Sequence, residues 1–400
     1  MVQLSDDGFA FGGQLLSLEA AQERLRQGAT PIPGEEWAAL EQAAGRILAR
    51  PVFATRSVPP FLNAAVDGHA YAWGTGPRFT LGATVAAGAQ TPPPLAPGTA
   101  VPILTGAPLP AGADTVVMIE DALVTDAEVT VPEALPRGSN ARPKGEDIAE
   151  GKQLYPQGHS LSALDVARLA AGGAQGAWVK PPLRIQVFSS GEELRNGQIA
   201  DVNRWLLEAV FAGPAYRLSF GGVVPDSLAA SKAALANLET DLILTSGGVS
   251  LGTHDFLRQA IESLGHLEFW RVAIKPGRPV AFGHLACAPI FGLPGNPVAC
   301  FITAQFLAHP FARALLGSQS PGLPPLIRAP LARAYKKKPG RSEFVRVHLD
   351  AAGQARPYEV AGAGIVTSLT ATDALAVLGP ELRDVAAGTA VPLLMLKGIL

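Results

Sequence analysis

Three glycine-bearing loops in the second half of the chain have the composition of an anion-binding site. They occupy residues 189–194, 245–250 and 292–297, and each directly follows a short apolar run. Glycine lets the backbone curl so that successive N–H groups point at one spot, which is how a backbone nest holds an anion. In the third loop Asn296 suits a helix N-cap and Pro297 suits the first helical position, so a partially positive helix terminus is expected there. The alternative is that all three loops are merely tight turns between strands and helices.

A basic group lies close to the third loop in sequence. Arg271, Lys275 and Arg278 surround a Pro-Gly turn that precedes a further strand-like run. Such a group suits phosphate or another tetrahedral oxyanion, because an arginine side chain offers a two-pronged donor. An exposed surface cluster is the alternative interpretation.

Three carboxylates each lie just beyond the end of a predicted strand: Glu193, Asp226 and Asp255. Carboxylates beside a bare anion repel it, so their presence near phosphate-binding loops is typical of a Mg²⁺ site. As plain helix N-caps, Asp226 and Asp255 would be unremarkable, and that alternative stays open. Neither a P-loop motif nor the glycine pattern of a dinucleotide fold occurs in the chain.

The elements that must position these loops alternate between strand and helix. Apolar runs predict strands at 183–188, 216–220, 242–244 and 289–291, and amphipathic runs predict helices at 201–211, 226–238, 254–264 and from 297 to about 316. This alternation predicts a parallel sheet covered by helices on both faces. Ligands of such sheets bind at the carboxyl ends of the strands, which is where all three loops lie.

The first half of the chain has a different organisation. Ser17 predicts the start of one helix, and the apolar spacing from residue 35 to residue 49 predicts a second. Short β-rich runs separated by proline and glycine follow at 51–136, and Ser162 and the Gly172-Gly173 pair bound a helix. The last 70 residues carry short β-like runs, which favour a small barrel or sandwich.

Composition excludes several classes of protein. The chain has 400 residues, of which 48% are hydrophobic and only 16% charged, so it is not a disordered polymer. A formal charge of −2 gives no general attraction to nucleic acid or to an anionic membrane. Because we find no uninterrupted apolar run of about 18 residues and no signal-like N-terminus, we expect a cytoplasmic protein with no membrane segment.

Eight strings together resemble the molybdopterin molybdotransferase family, which includes the bacterial MoeA enzymes and the E domain of gephyrin. In the family's order between residues 63 and 297 they are NAAVDGHA, LTGAPLPAGADTVVMIED, RPKGEDIAEG, FSSGEEL, DVNR, TSGGVSLGTHDF, RVAIKPGRPVAFG and GLPGNP.

The resemblance implies a multidomain α/β protein with four parts. These are an elongated linking domain at 1–52 and 138–180, a β-rich inserted domain at 53–137, a three-layer α/β molybdopterin-binding domain with a parallel sheet at 181–320, and a C-terminal β-barrel domain at 325–400. This succession agrees with the one that the residue patterns predict.

The resemblance also implies an activity and its partners. The expected reaction of molybdenum cofactor biosynthesis is insertion of molybdate into adenylylated molybdopterin, with release of AMP, by a transferase that requires Mg²⁺. A homodimer is expected whose active site joins the α/β domain of one subunit to the β-rich insert of the other. Transient contacts with the molybdopterin adenylyltransferase and with molybdoenzyme acceptors are implied as well.

The family's functional residues map onto this sequence motif by motif. Glu193, Asp226 and Asp255 would hold the metal and the pyrophosphate, and Asp67 and Asp147 would approach from the partner subunit, so these five are the candidate catalytic residues. The candidate substrate contacts are Thr105, Arg142, Ser246, Gly247, Gly248, Ser250, Arg271, Lys275, Arg278, Pro294, Gly295, Asn296, Pro297 and Ser368.

Two other functions remain as alternatives. A molybdopterin adenylyltransferase shares the Ser-Gly-Gly loop and two of the acids, but it is typically a single α/β domain, so the first 180 residues and the C-terminal segment disfavour it. A dimeric scaffold of the gephyrin E type is disfavoured by the retained acids.

Overall fold

The structure is a computed structural model of the chain. It describes residues 15–86, 88, 92–248, 256–320, 322–359 and 362–396. Ser250 and Asp255, both predicted site residues, lie outside the described residues.

The N-terminal segment contains fewer helical residues than its periodicity predicts. Its elements are α1 (Leu18–Gly28), β1 (Glu36–Ala39), α2 (Leu40–Ala43) and β2 (Val52–Phe53). The helix that begins at Ser17 is confirmed, because the Ser17 side chain accepts a hydrogen bond from the N–H of Ala20. Of the helix predicted over 35–49, only α2 is helical. The prediction is wrong for the preceding residues, because β1 pairs antiparallel with residues 176–179 and Trp37 lies opposite Trp178. Pairing with a distant strand therefore overrides the local helical spacing.

The β-rich prediction for 51–136 is confirmed. The elements here are β3 (Asn63–Ala64), β4 (Gly68–Tyr71), β5 (Arg78–Leu81), β6 (Thr99–Ile103), β7 (Thr115–Met118), a 3₁₀ turn (Ile119–Asp121), β8 (Leu123–Val124) and β9 (Glu128–Thr130). Six of these strands form one sheet in the order β7-β4-β6-β5-β9-β8.

The chain then returns to the first segment and is joined to it by short strand pairs. The elements are β10 (Ala141–Arg142), β11 (Gln153–Tyr155), α3 (Ala163–Ala171) and β12 (Gly176–Val179). β11 pairs with β2 and β12 with β1, which are the links to the first segment, whereas β10 pairs with β3 of the β-rich segment. As predicted, Ser162 caps α3, in a capping box that Asp165 completes.

The second half of the chain forms the α/β layer structure that positions the three loops. Its elements are β13 (Leu183–Ser190), α4 (Glu192–Arg195), α5 (Val202–Val210), β14 (Tyr216–Val224), α6 (Leu228–Leu235), β15 (Leu242–Ser246), α7 (Phe256–Leu264), β16 (Gly265–Arg271), β17 (Ile274–Lys275), β18 (Pro279–Leu285), β19 (Pro289–Leu293), α8 (Pro297–Thr303), a π-helical turn (Ala304–Ala308) and α9 (His309–Leu315). The sheet order is β14-β13-β15-β19-β18-β16.

The prediction of a parallel sheet holds for four of these six strands. β14, β13, β15 and β19 are parallel, whereas β18 and β16 run antiparallel at the other edge. Side chains alternate between the faces, so Leu244 joins the core beneath α1, α5, α8 and α9, while its neighbour Ile243 joins the core beneath α6 and α7. The sheet is therefore the middle of three layers.

Within the described parts of the chain, one helical run has the length and apolar composition of a membrane span. This run, Pro297–Leu315, is 78% buried inside the structure. Such burial is typical of a core helix, and the run packs against the central sheet.

The C-terminal segment is β-rich, as predicted. Its elements are β20 (Leu326–Pro330), β21 (Ser342–Leu349), β22 (Ala355–Pro357), α10 (Thr367–Ala371), β23 (Ala374–Leu378) and β24 (Ala390–Met395). The strand order is β17-β21-β23-β24-β20, with β22 on β21. Because β17 comes from the α/β segment, the basic turn that follows it is tied to the C-terminal sheet.

His309, partly buried at the start of α9, is expected to make the stability of the protein depend on pH. Burial lowers the pKa of His309 from 6.5 to about 4, and the positive charge of Arg313 adds to this effect. The Tyr216 hydroxyl lies 3.0 Å from its Nε2 atom and the Gly322 carbonyl lies 3.3 Å from its Nδ1 atom. Below pH 6.5 the His309 imidazole becomes protonated in the unfolded chain, whereas in the folded protein it stays neutral down to about pH 4. Stability therefore falls as the pH drops through this window.

We expect this one histidine to contribute a loss of about 3 kcal/mol in the free energy of unfolding between pH 7 and pH 4. Urea unfolding at several pH values measures the loss, and the glutamine variant His309→Gln should show a shallower pH dependence. An identical pH dependence in wild type and variant would contradict the assignment.

Candidate active site

The three glycine loops converge on one cavity at the carboxyl ends of β13, β15 and β19. Its volume is about 780 Å³. The predicted site residues that line it are Glu193, Asp226, Ser246, Gly247, Gly248, Pro294, Gly295, Asn296 and Pro297. Separate tight turns would not produce a shared cavity, so the convergence favours the binding-site interpretation.

Glu193 is presented by the short helix α4. Gly191 stands at the N-cap with φ +138°, and a side chain on it would meet the Glu193 carboxylate at 2.7 Å. The neighbouring Glu192 is paired with Arg195 at 2.9 Å, between Oε1 and Nη1. The two neighbouring glutamates therefore differ: Glu192 forms an ion pair with an arginine, whereas Glu193 lines the cavity.

Asp226 is not a helix cap. The hydroxyl of the next residue, Ser227, caps α6 by accepting a hydrogen bond from the N–H of Ala230. Asp226 is exposed and lines the cavity. The N-cap interpretation of Asp226 is therefore wrong, because serine supplies the cap and leaves the carboxylate available to a ligand.

The glycines of the second loop hold a conformation that other residues rarely adopt. Gly247 and Gly248 have φ values of +85° and +69°. A Cβ on Gly247 would lie 2.6 Å from the carbonyl oxygen of Ser190, in the first loop. Glycine at 247 thus allows the first two loops to approach each other closely.

The third loop has the expected helix start, with one difference. Asn296 occupies the N-cap and Pro297 begins α8, but the Asn296 side chain makes no capping hydrogen bond. The Asn296 side chain is exposed at the cavity. The amide is therefore available to a ligand.

Asp201 and Asn203 line the cavity but were not predicted as site residues, although both belong to the DVNR string. Asp201 caps α5 by accepting from the N–H of Arg204, and it also accepts a 2.5 Å hydrogen bond from the Ser189 hydroxyl. The Ser189 hydroxyl lies 3.2 Å from that of Ser246. Buried Asn203 donates from Nδ2 to the carbonyl oxygen of Gly295 at 2.7 Å. These bonds connect the ends of β13 and β15 with α5 and the third loop.

The basic group lies beside the cavity rather than in its lining. Pro279, which follows Arg278, lines the cavity, whereas Arg271 is buried and Lys275 is exposed. The Lys275 ammonium is 2.7 Å from Oε1 of the buried Glu343 in the C-terminal sheet. The surface-cluster interpretation of Lys275 is incomplete, since this lysine joins two segments of the chain.

The predicted site residues of the first half of the chain lie outside the cavity lining and make local polar contacts. Asp67 accepts hydrogen bonds from the backbone N–H and the hydroxyl of Thr105 at 2.6 and 2.7 Å, which lower its pKa below the usual value. Arg142 pairs with Glu146 at 2.6 Å, and Asp147 is exposed nearby in the same loop. Among the described residues that line the cavity, none comes from the β-rich insert or from the 138–180 segment.

Ser368 lies apart from the cavity. It is fully buried, donates to the Ile365 carbonyl and accepts from Arg346 Nη1 at 2.7 Å. The residues of this segment that reach the cavity are Gly364 and Val366.

The donor set of the cavity fits a hard divalent cation. Glu193, Asp201 and Asp226 all line the one cavity, and each carries a carboxylate. Mg²⁺ prefers such oxygen ligands and usually keeps several waters. The residues present therefore fit the predicted magnesium site.

Sequence comparison covers nearly the whole chain. Three family models match in order: the MoeA N-terminal region (domain I and II) at residues 16–173, a probable molybdopterin binding domain at 186–314, and the MoeA C-terminal region (domain IV) at 328–396. The molybdopterin molybdenumtransferase of Haemophilus influenzae is 32% identical over 396 residues, which cover 94% of this chain and 98% of that protein. The chain belongs to the MoeA family.

Relatives and solved structures agree with this family assignment. The molybdopterin molybdenumtransferase of Bacillus subtilis is 31% identical over 390 residues, with 90% of each chain covered. The crystal structure of the molybdopterin biosynthesis MoeA protein from Pyrococcus horikoshii OT3 superposes with a TM-score of 0.81 at 26% identity, covering 96% of this chain and 100% of that one. The multidomain α/β fold predicted from the resemblance is thereby confirmed.

Asn203 should act as a positioning residue of this MoeA-family cavity. Asn203→Ala removes the partly buried hydrogen bond to the Gly295 carbonyl, so we expect a loss of about 1 kcal/mol in unfolding free energy and, because the third loop is then less well positioned, a higher KM. Chemical unfolding and steady-state kinetics measure both effects. Asn196→Ala, at the exposed end of α4, is the matched control. Equal effects of the two substitutions would contradict the assignment.

Proposed function

We propose that the chain is a molybdopterin molybdotransferase, which inserts molybdate into adenylylated molybdopterin and releases AMP. The observation that carries the proposal is the single cavity where three glycine loops meet the carboxylates Glu193 and Asp226. A phosphoanhydride needs both features, because backbone donors bind its oxygens and carboxylates hold the cation that balances its charge. Relatives named molybdopterin molybdenumtransferase match most of the chain.

Mg²⁺ is the proposed cofactor, held by Glu193 and Asp226 and, by family assignment, Asp255. When bound, the ion neutralises charge on the phosphates and on the departing AMP. The protein's own groups orient the substrate: the loop backbones hold the phosphate oxygens, and the amide of Asn296 offers a further hydrogen bond.

Molybdate is the proposed ligand of the basic group. It is a tetrahedral dianion, and the guanidinium groups of Arg271 and Arg278 with the ammonium of Lys275 are of opposite charge and offer several N–H donors to its oxygens. Since Pro279 lines the cavity directly after Arg278, this group adjoins the place where the pterin would be bound.

The proposed working unit is a cytoplasmic homodimer in which Asp67 and Asp147 of one subunit complete the cavity of the other. Asp67 and Asp147 are both exposed, and neither the β-rich insert nor the 138–180 segment contributes a residue to the described cavity lining, which supports this arrangement. Transient contacts with a molybdopterin adenylyltransferase and with molybdoenzyme acceptors belong to the same proposal.

Mixing two inactive variants tests the shared site. Asp67→Asn and Asp226→Asn homodimers should each be nearly inactive. After co-refolding or co-expression, random pairing leaves one intact site in each mixed dimer, so about a quarter of wild-type activity should return. Return of no activity, although native mass spectrometry shows mixed dimers, would contradict the shared site.

The activity itself is tested by measuring AMP. Adenylylated molybdopterin, Mg²⁺ and the protein are incubated while molybdate is added, and AMP release should rise with molybdate. A parallel incubation with ATP and molybdopterin should give no adenylylated pterin. Formation of that product with release of pyrophosphate would instead identify an adenylyltransferase, and absence of both reactions would favour a scaffold.

A further inference from the structure

A cluster of three metal-ligating side chains lies on the antiparallel edge of the central sheet, outside the cavity. His266 on β16 and His284 on β18 are directly opposite each other in the strand register. Their rings are stacked, with centroids 5.1 Å apart and planes inclined by 17°. Phe282 meets the His284 ring edge-on at 5.1 Å between centroids. The two imidazoles are therefore held side by side on one face of the hairpin.

A β-bulge brings a carboxylate to the same place. Leu267 is opposite Gly283 and Phe269 is opposite Phe282, so Glu268 is the extra residue on β16. Bulges of this kind change the direction of a side chain and recur next to functional sites. Oε1 of Glu268 lies 3.4 Å from Nε2 of His266 and 3.9 Å from Nε2 of His284.

An arginine fixes the other oxygen of this carboxylate. Arg24 of α1 donates from Nε and Nη2 to Oε2 of Glu268, at 3.1 and 2.9 Å. Oε1 therefore remains directed at the two imidazoles. Support of a carboxylate by a second group in this manner is typical of metal ligands.

We propose that His266, Glu268 and His284 bind one divalent first-row transition-metal ion, with Zn²⁺ as its representative. The three ligand atoms lie within 4.8 Å of one another. Tetrahedral ligands at about 2.0–2.2 Å from zinc are separated by about 3.4 Å, so small side-chain rotations close the site. His266 is 64% exposed, which leaves a fourth position open to water.

The donor set also selects the class of metal. Two imidazoles favour zinc, nickel or copper, whereas Mg²⁺ and Ca²⁺ prefer oxygen ligands. The carboxylates of the cavity prefer Mg²⁺ or Ca²⁺ instead. The proposed transition-metal site is therefore separate from the proposed function and does not depend on it. An ion here would join β16 to β18 and, through Arg24, strengthen the contact with α1.

Zinc binding to the full-length protein tests the site. Isothermal titration with Zn²⁺ should show one tight equivalent, and Co²⁺ in its place should give the intense visible absorption of a tetrahedral complex. His266→Ala and His284→Ala should each weaken Zn²⁺ binding at least about tenfold. His266→Gln, on the exposed edge, provides a second variant if an alanine variant fails to fold.

Two controls make the result specific. His348→Ala removes an imidazole that lies 3.5 Å from Asp373 in the C-terminal sheet, and it should bind Zn²⁺ as the wild type does. The double variant Glu193→Gln, Asp226→Asn should also retain the tight equivalent, because it alters only the cavity. The proposal is overturned if the wild type binds no Zn²⁺, if the His266 and His284 variants keep wild-type affinity, or if the cavity double variant loses the tight site.

Discussion

Asp226→Asn should lower the kcat of molybdate-dependent AMP release about 100-fold while leaving the fold intact. The substitution keeps the shape of the side chain and removes the charge that a cavity cation needs, and a factor of 100 corresponds to about 2.7 kcal/mol of transition-state stabilisation. Stability should change little, because Asp226 is exposed and Ser227, not Asp226, caps α6. Steady-state kinetics and thermal unfolding of the same preparation measure the two quantities.

Glu239→Gln is the matched control for this variant. Glu239 is an exposed carboxylate just beyond the other end of α6, and it does not line the cavity. It should keep wild-type activity. Turnover within about twofold of wild type in Asp226→Asn would contradict the assigned role of that carboxylate.

Gly247→Ala should disrupt the cavity through the backbone rather than through charge. The left-handed φ of +85° strains any residue with a Cβ, by about 1–2 kcal/mol. The added methyl group would also lie 2.6 Å from the Ser190 carbonyl oxygen, so the first two loops must separate. We expect unfolding free energy to fall by about 2–3 kcal/mol and activity to fall more than about tenfold, because substrate-positioning groups move.

Gly197→Ala is the control that separates the cost of backbone strain from the cost of a steric clash. Gly197 has a similar φ of +68°, yet nothing lies within 4 Å of its Cβ position. It should lose only the cost of the backbone strain and keep its activity. Equal losses of stability and activity in the two variants, measured by urea unfolding and AMP release, would show that close loop approach at Gly247 is unimportant.

The α/β half of the chain is the most predictable part because its strands are buried on both faces. Residues such as Leu242, Ile243 and Leu244 are fully buried and form an uninterrupted apolar run. The antiparallel edge was not found: β16 was not predicted, and β18 was expected only as a strand-like run after the basic turn. The helix predicted over 35–49 is largely replaced by a strand for a related reason: Trp37 is 53% exposed and its partner across the strand pair is Trp178, far away in sequence.

The residues of the candidate site were predictable where a carboxylate comes directly after the end of a strand. Glu193 and Asp226 were found because of that position, and both line the cavity. Asp201 and Asn203 were passed over because their positions are those of an ordinary helix start, and their hydrogen bonds join segments distant in sequence. The His266 cluster depends on strand register and on a bulge at Glu268, neither of which the residue pattern reveals.

Crystals of the protein soaked with Mn²⁺ and diffracted near the manganese absorption edge show directly whether the carboxylates at the sheet edge hold a cation. We predict an anomalous peak in the cavity at about 2.2 Å from a carboxylate oxygen of Glu193 or Asp226, lost in the double variant Glu193→Gln, Asp226→Asn. A structure whose manganese peaks all lie away from both carboxylates, with substrate present, would contradict the proposed role of this cavity.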